Sequence, residues 1–184
     1  ITAGEEAVYD GQIQGDILYV RTNEWAPRYK LMAVDLKKPL EKWREVIPEG
    51  PFILTGFDLA GSVLAVSVLE RAASRLRLHA LATGKVLKEI PLPPLGTVNS
   101  FDGQPKSKNL SILYESFFVP PTLYNYDIAR SSLTVLEKIS APVDLTEYES
   151  RQVVYESKDK TPVTMFLVHK KRLYKNRKIP VLLT

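Results

Sequence analysis

The chain has 184 residues, no Cys, 45% hydrophobic residues, and 25 basic against 21 acidic side chains. That length allows one good core or a little more, and the missing Cys excludes disulfides, Cys-ligated zinc and thiol catalysis. No apolar run approaches the roughly 18 residues of a membrane helix, and an opening at Ile1 rather than Met reads as the interior of a longer sequence with no legible signal peptide.

Along the chain, short runs of apolar and β-branched residues recur, broken by Gly, Pro, Asn and Asp, with little helical spacing. This is the pattern of many short strands. The first group is Gly15–Val20, Leu31–Leu36 and Trp43–Ile47. The second is Gly61–Val66, Leu76–Leu81 and Val86–Ile90, the last two joined by the hairpin-type turn Ala82-Thr83-Gly84-Lys85. The third is Asn109–Tyr114, Leu123–Ile128 and Leu133–Ile139. Asp35 and Asp127 fall at the same place in their repeats and read as turn caps accepting backbone N–H bonds.

Leu36, Leu81 and Ile128 are 45 and 47 positions apart. A unit of about 46 residues holding four strands is the repeat of a β-propeller blade. The predicted fold is therefore all-β, with three four-stranded blades. A β-sandwich of about twelve strands has the same turn density but gives no reason for the constant spacing. Three blades do not close a ring, since propellers use about four to eight, so the chain reads as part of a longer array.

After about Pro142 the pattern changes. Thr146–Glu149 reads as a short polar link, followed by strands Arg151–Ser157 and Val163–Val168 around the turn Lys158–Thr161. Six basic residues then fall between Lys170 and Lys178; without them 19 basic residues would face 21 acidic ones. The final run Ile179–Leu183 is apolar on both faces, as in the opening of a buried strand of an α/β sheet. The expected domains are 1–147, propeller blades, and 148–184, the first strands of a second domain.

Trp25–Leu31 with Trp43–Glu49, Glu70–Leu78 with Ala82-Thr83-Gly84, and Tyr114–Tyr124 with its Pro120-Pro121-Thr122 core together resemble segments of the prolyl oligopeptidase family. The most specific is Tyr155–Asp159 followed by Thr161–Lys171, similar to the hairpin by which the family's propeller returns to its peptidase domain. The resemblance runs from about residue 10 to 184. Lys160 departs from it, standing where the family commonly has Gly, and Lys favours a different turn geometry.

The resemblance implies a seven-bladed propeller over an α/β-hydrolase domain, in a serine peptidase that cuts short peptides after proline while the propeller restricts larger ones. A related branch cuts after basic residues; Met165–Lys171 looks closer to the proline-specific one. The implied setting is cytoplasmic, with a periplasmic one as alternative.

Serine acyl transfer needs a nucleophile, a base, an orienting carboxylate and oxyanion donors. The Gly-x-Ser-x-Gly turn of α/β-hydrolases is missing; the nearest string, Ala60-Gly61-Ser62-Val63-Leu64, lacks the closing Gly. No catalytic, cofactor or metal residue of the family carries over to this sequence, and this chain is expected to be inactive by itself.

The other candidates read as structural. His79 sits within a strand and His169 at a strand end, neither with metal-ligand spacing. Lys170–Lys178, with Leu173 and Tyr174 interleaved, has the composition of a nucleic-acid site but reads better as a solvated connection. Phe117, Phe118, Tyr124 and Tyr126 read as packing between blades rather than a binding face.

Besides a peptidase fragment, two readings stay open: a non-catalytic propeller interaction module and, more weakly, a nucleic-acid-binding β protein. The hairpin Arg151–Lys171 favours the peptidase. The partners expected are short peptides for the parent enzyme, with no nucleic acid and no membrane, and self-association through exposed apolar blade faces.

Overall fold

The computed structural model describes residues 6–172 and 178–183. The chain divides into two compact units, Ile1–Ile139 and Ser140–Thr184.

The first unit holds three antiparallel four-stranded sheets. The first sheet is β1 Tyr9–Gln14, β2 Ile17–Thr22, β3 Lys30–Asp35 and β4 Arg44–Ile47. The second is β5 Ile53–Ala60, β6 Val63–Glu70, β7 Ala73–Ala80 and β8 Val86–Glu89. The third is β9 Gly96–Gly103, β10 Asn109–Ser116, β11 Thr122–Asp127 and β12 Ser132–Lys138. Within each sheet the strands lie side by side in chain order. The strands predicted from sequence are the second, third and fourth of each sheet; β2, β6 and β10 begin at 46-residue intervals. No α-helix occurs among the described residues.

Turn chemistry sets the hairpins. Gly15 and Gly61, with φ of 60° and 61°, turn the chain between first and second strands of their sheets. In the third sheet a longer turn replaces them, closed by Ser107 N donating to Gln104 O at 2.8 Å. Between β6 and β7, Arg71 and Ala72 both have positive φ, 47° and 62°. That mirror-image turn matches strand twist but normally takes Asn-Gly. Asp35 and Asp127 do cap turns: Asp35 Oδ1 accepts from Lys37 N at 2.9 Å, and Asp127 Oδ1 from Arg130 N at 2.8 Å.

Alternation then builds two cores. One face of the second sheet presents Phe57, Leu59, Leu64 and Val66 to Tyr19, Leu31 and Ala33 of the first. Its other face presents Val63, Ala65, Leu76 and Leu78 to Leu110, Ile112, Tyr114, Tyr124 and Tyr126 of the third. The middle sheet is thus apolar on both faces, which is why β6 is an unbroken run, Val63-Leu64-Ala65-Val66, rather than an alternating one. Each fully buried Leu or Val contributes about 1.5–3 kcal/mol.

Of the aromatic residues expected between sheets, Tyr124 and Tyr126 are buried there, but Phe117 is 50% exposed. Phe117 lies past the end of β10, where Ser116 Oγ accepts from Phe118 N at 3.3 Å and Val119 N at 3.1 Å. That turn ends the strand, so strand alternation no longer governs the side chain.

The second unit is a hairpin, β13 Tyr148–Glu156 with β14 Pro162–Lys170, preceded by the 3-10 turn Leu145–Glu147. Three corrections follow. Tyr148 and Glu149, expected in a polar link, belong to β13 because they pair with Lys170 and His169; the link ends at Glu147, with Asp144 Oδ1 accepting from Thr146 N at 2.9 Å. Lys160 takes the left-handed backbone its glycine counterpart would, with φ of 65°. Local bonds impose it: Lys160 N donates to Ser157 O at 2.9 Å, Ser157 N to Thr161 O at 3.0 Å, and Thr161 N to Asp159 Oδ1 at 3.0 Å. The Ser157 hydroxyl donates to the same carboxyl, and together with the Thr161 amide it holds Asp159 down to about 2. Finally, Ile179–Leu183 is not a strand; Val181, Leu182 and Leu183 are 87%, 87% and 85% exposed. An apolar run becomes a buried strand only beside a partner strand, and none flanks it among the described residues.

Candidate functional site along the first strands

The three sheets of the first unit converge on their first strands: β1 lies against β5, and β5 against β9. Polar side chains on these strands stitch the seams. Gln12 Oε1 accepts from Leu59 N at 3.2 Å, and Gln14 Nε2 donates to Gly61 O at 3.0 Å. At the next seam Asp58, 8% exposed, accepts from Gly103 N at 2.9 Å and from its neighbour Leu59 N at 2.7 Å. Gly103 is required here: a Cβ would stand 2.7 Å from that of Ala60 and 2.8 Å from Leu59 O.

Arg21 on β2 ties the first seam from outside. Its Nη1 donates to Leu54 O at 3.0 Å and Thr55 O at 2.9 Å, its Nη2 lies 2.8 Å from Asp10, and its guanidinium stacks 4.4 Å from the Tyr29 ring. A guanidinium suits this post because its planar fork serves two carbonyls, a carboxylate and a ring together.

His79 is 5% exposed in a small cavity bounded by Tyr29, Pro48, Phe52, Leu54 and Val66. Its Nδ1 lies 2.7 Å from Gly84 O, so Nδ1 carries the proton, and Nε2 has no partner. Burial pushes the imidazole below its ordinary range; the Gly84 carbonyl opposes this and Arg77 adds to it. The folded state therefore favours neutral His79, and between the folded value and about 6.5 the unfolded chain binds more protons. Stability is full above about pH 6.5 and falls as the pH drops below it. His79→Asn, which keeps a donor for Gly84 O, is expected to flatten this dependence; urea unfolding at pH 5, 6 and 7.5 measures it.

The remaining sequence candidates are scattered. Ser62 is exposed in the β5–β6 turn. His169 Nδ1 faces its neighbour's carbonyl, Lys170 O, at 2.9 Å and Glu149 at 3.6 Å. In the basic segment, Lys170 Nζ lies 3.5 Å from Glu147 and 5.5 Å from the Tyr148 ring centre; Leu173–Arg177 lies outside the described residues. No cluster of His, Asp and Glu suited to a metal occurs among the described residues. What the residues build is a hydrogen-bonding edge that joins sheets, not an acid–base centre. Sequence reading missed Gln12, Asp58 and Arg21; aligning the first strands on the 46-residue repeat would have found the first two.

Four-stranded meanders stacked face to face on converging first strands define a β-propeller architecture. Residues 1–139 match the family model described as prolyl oligopeptidase, N-terminal β-propeller domain, and the chain belongs to the prolyl oligopeptidase family. A prolyl endopeptidase of Elizabethkingia miricola is 29% identical over 184 residues, 100% of this chain and 26% of that protein. A solved structure from a study of inter-domain dynamics in two prolyl endopeptidases superposes with a TM-score of 0.84 at 31% identity, over 94% of this chain and 26% of that one. Prolyl oligopeptidase B from Galerina marginata, bound to a 35mer hydrolysis and macrocyclization substrate, gives a TM-score of 0.78 at 27% identity, over 89% of this chain and 24% of that one. The chain thus spans about a quarter of the length of these relatives.

Proposed function

We propose that this chain is part of a prolyl oligopeptidase-type serine peptidase that cleaves short peptides after proline. In this reading the three sheets are blades of a seven-bladed propeller that limits access to the active site. Residues 148–184 begin the α/β-hydrolase domain, and Ile179–Leu183 becomes a strand once that domain's sheet flanks it. The serine, histidine and aspartate of the chemistry lie outside these residues, so the chain alone turns over no substrate.

One observation carries the reading. The similarity to the Elizabethkingia enzyme extends over the whole chain, through the hairpin of the second unit, whereas the propeller model stops at residue 139. A free-standing propeller module has no use for that hairpin. The test is a serine-directed fluorophosphonate probe with a chromogenic Gly-Pro peptide, applied to the full-length protein and to the 184-residue chain. Labelling and cleavage are expected for the former alone. A full-length protein that neither labels nor cleaves would leave the interaction-module reading standing.

A further inference from the structure

The stitching of the seams repeats with the sheets. In strand register Gln12 stands opposite Tyr19, Asp58 opposite Ala65, and Asp102 opposite Ser111. Tyr19, Ala65 and Ser111 are each the third residue of the second strand in their sheet. Gln12, Asp58 and Asp102 are therefore the same position in three successive repeats. The first two accept the backbone amide of the next sheet's first strand, at Leu59 and Gly103, and those amides are also equivalent, each one residue past the latch position. Asp102 is exposed and has no side-chain partner among the described residues.

The face around Asp102 differs from the two filled seams. Asn109, Ser111 and Asn125 stand where the first sheet has Ile17, Tyr19 and Ala33 and the second has Val63, Ala65 and Leu78. Hydrophobic contact holds the filled seams; this face keeps Leu123 where those sheets have Leu31 and Leu76, with Leu113 opposite it, and adds these hydrogen-bonding groups.

We propose that Asp102 is the acceptor of a third latch, and that the face around it docks the first strand of a further four-stranded sheet of the same polypeptide. The occupant follows from continuity: the operation that carries the first sheet to the second and the second to the third places a backbone amide against Asp102. The inference rests on the propeller reading above. A charge-assisted bond of this kind is stronger than one between neutral groups.

Hydrogen exchange on the full-length protein tests this. Asp102→Ala is expected to speed amide exchange at least about fivefold in a first-strand segment outside residues 1–184, the loss of one buried bond to a charged acceptor. Asp102→Asn, which keeps an acceptor as Gln12 does, is expected to retain most of the protection. Two results would overturn the latch: exchange outside residues 1–184 unchanged in both variants, or protection that grows with protein concentration, which assigns the face to a second copy. Fluorophosphonate labelling of the same samples separates the two readings. A labelled protein with unchanged exchange loses only the latch; an unlabelled one whose exchange responds loses only the peptidase.

Discussion

Replacing Gly84 with Ala is expected to lower stability by about 3–5 kcal/mol, among the largest losses a single methyl group can cause. Gly84 sits in the β7–β8 turn with φ of 68°, a left-handed conformation that costs an L residue about 1–2 kcal/mol. The second cost is steric. A Cβ on Gly84 would lie 1.8 Å from the carbonyl oxygen of Val46 and 2.7 Å from its carbon. These are backbone atoms of β4, in the neighbouring sheet, so no side chain can rotate away. Relief requires the first and second sheets to separate where Val46 is 4% exposed and His79 holds the Gly84 carbonyl. Thermal unfolding measures the effect, and at about 2–4 °C per kcal/mol the melting point should fall by roughly 10 °C. A melting point within about 2 °C of the parent would show that the seam is looser than this contact requires.

Tyr114 carries the second large effect. Its side chain is fully buried between the second and third sheets, packed edge to face on Tyr124 with ring centres 6.3 Å apart. Its hydroxyl donates to Pro93 O at 2.5 Å, and burial pushes it up to about 12, so it stays a donor at any working pH. Gly96 makes the room: a Cβ there would stand 2.0 Å from that hydroxyl. Tyr114→Ala removes a buried ring and leaves a cavity, which should cost about 3–5 kcal/mol. Tyr114→Phe keeps the ring and strands the Pro93 carbonyl, for about 1–2 kcal/mol. Tyr126 is the control. It is equally buried on the same face, but its hydroxyl has no hydrogen-bond partner. Tyr126→Phe should therefore be neutral or slightly stabilising. Urea unfolding of the three variants ranks them; a loss on Tyr126→Phe as large as on Tyr114→Phe would refute the assignment of the hydroxyl bonds.

Both predictions concern seams between sheets, and this is where sequence reading stopped. Gly84 was legible as a turn residue from Ala82-Thr83-Gly84-Lys85, but its contact with Val46 joins residues 38 positions apart. Asp58 is a single carboxylate in an apolar strand, with nothing in its neighbours to mark it as an inter-sheet acceptor. Phe117 shows the reverse case, an aromatic assigned to the core that a local Ser116 turn puts half outside.

The sequence alone determined the all-β class, the 46-residue period, nine strands of the first unit and the second unit's hairpin, because period-two alternation and turn residues are local properties written every few positions. It also carried the family, through the order of short motifs along the chain. Tertiary structure decided which face of each sheet meets which neighbour and where the first strands lie. It also decided that Gln12 and Asp58 latch successive sheets. Those outcomes depend on distances between residues about 45 positions apart, which a strand's own pattern does not encode until the sheets stack.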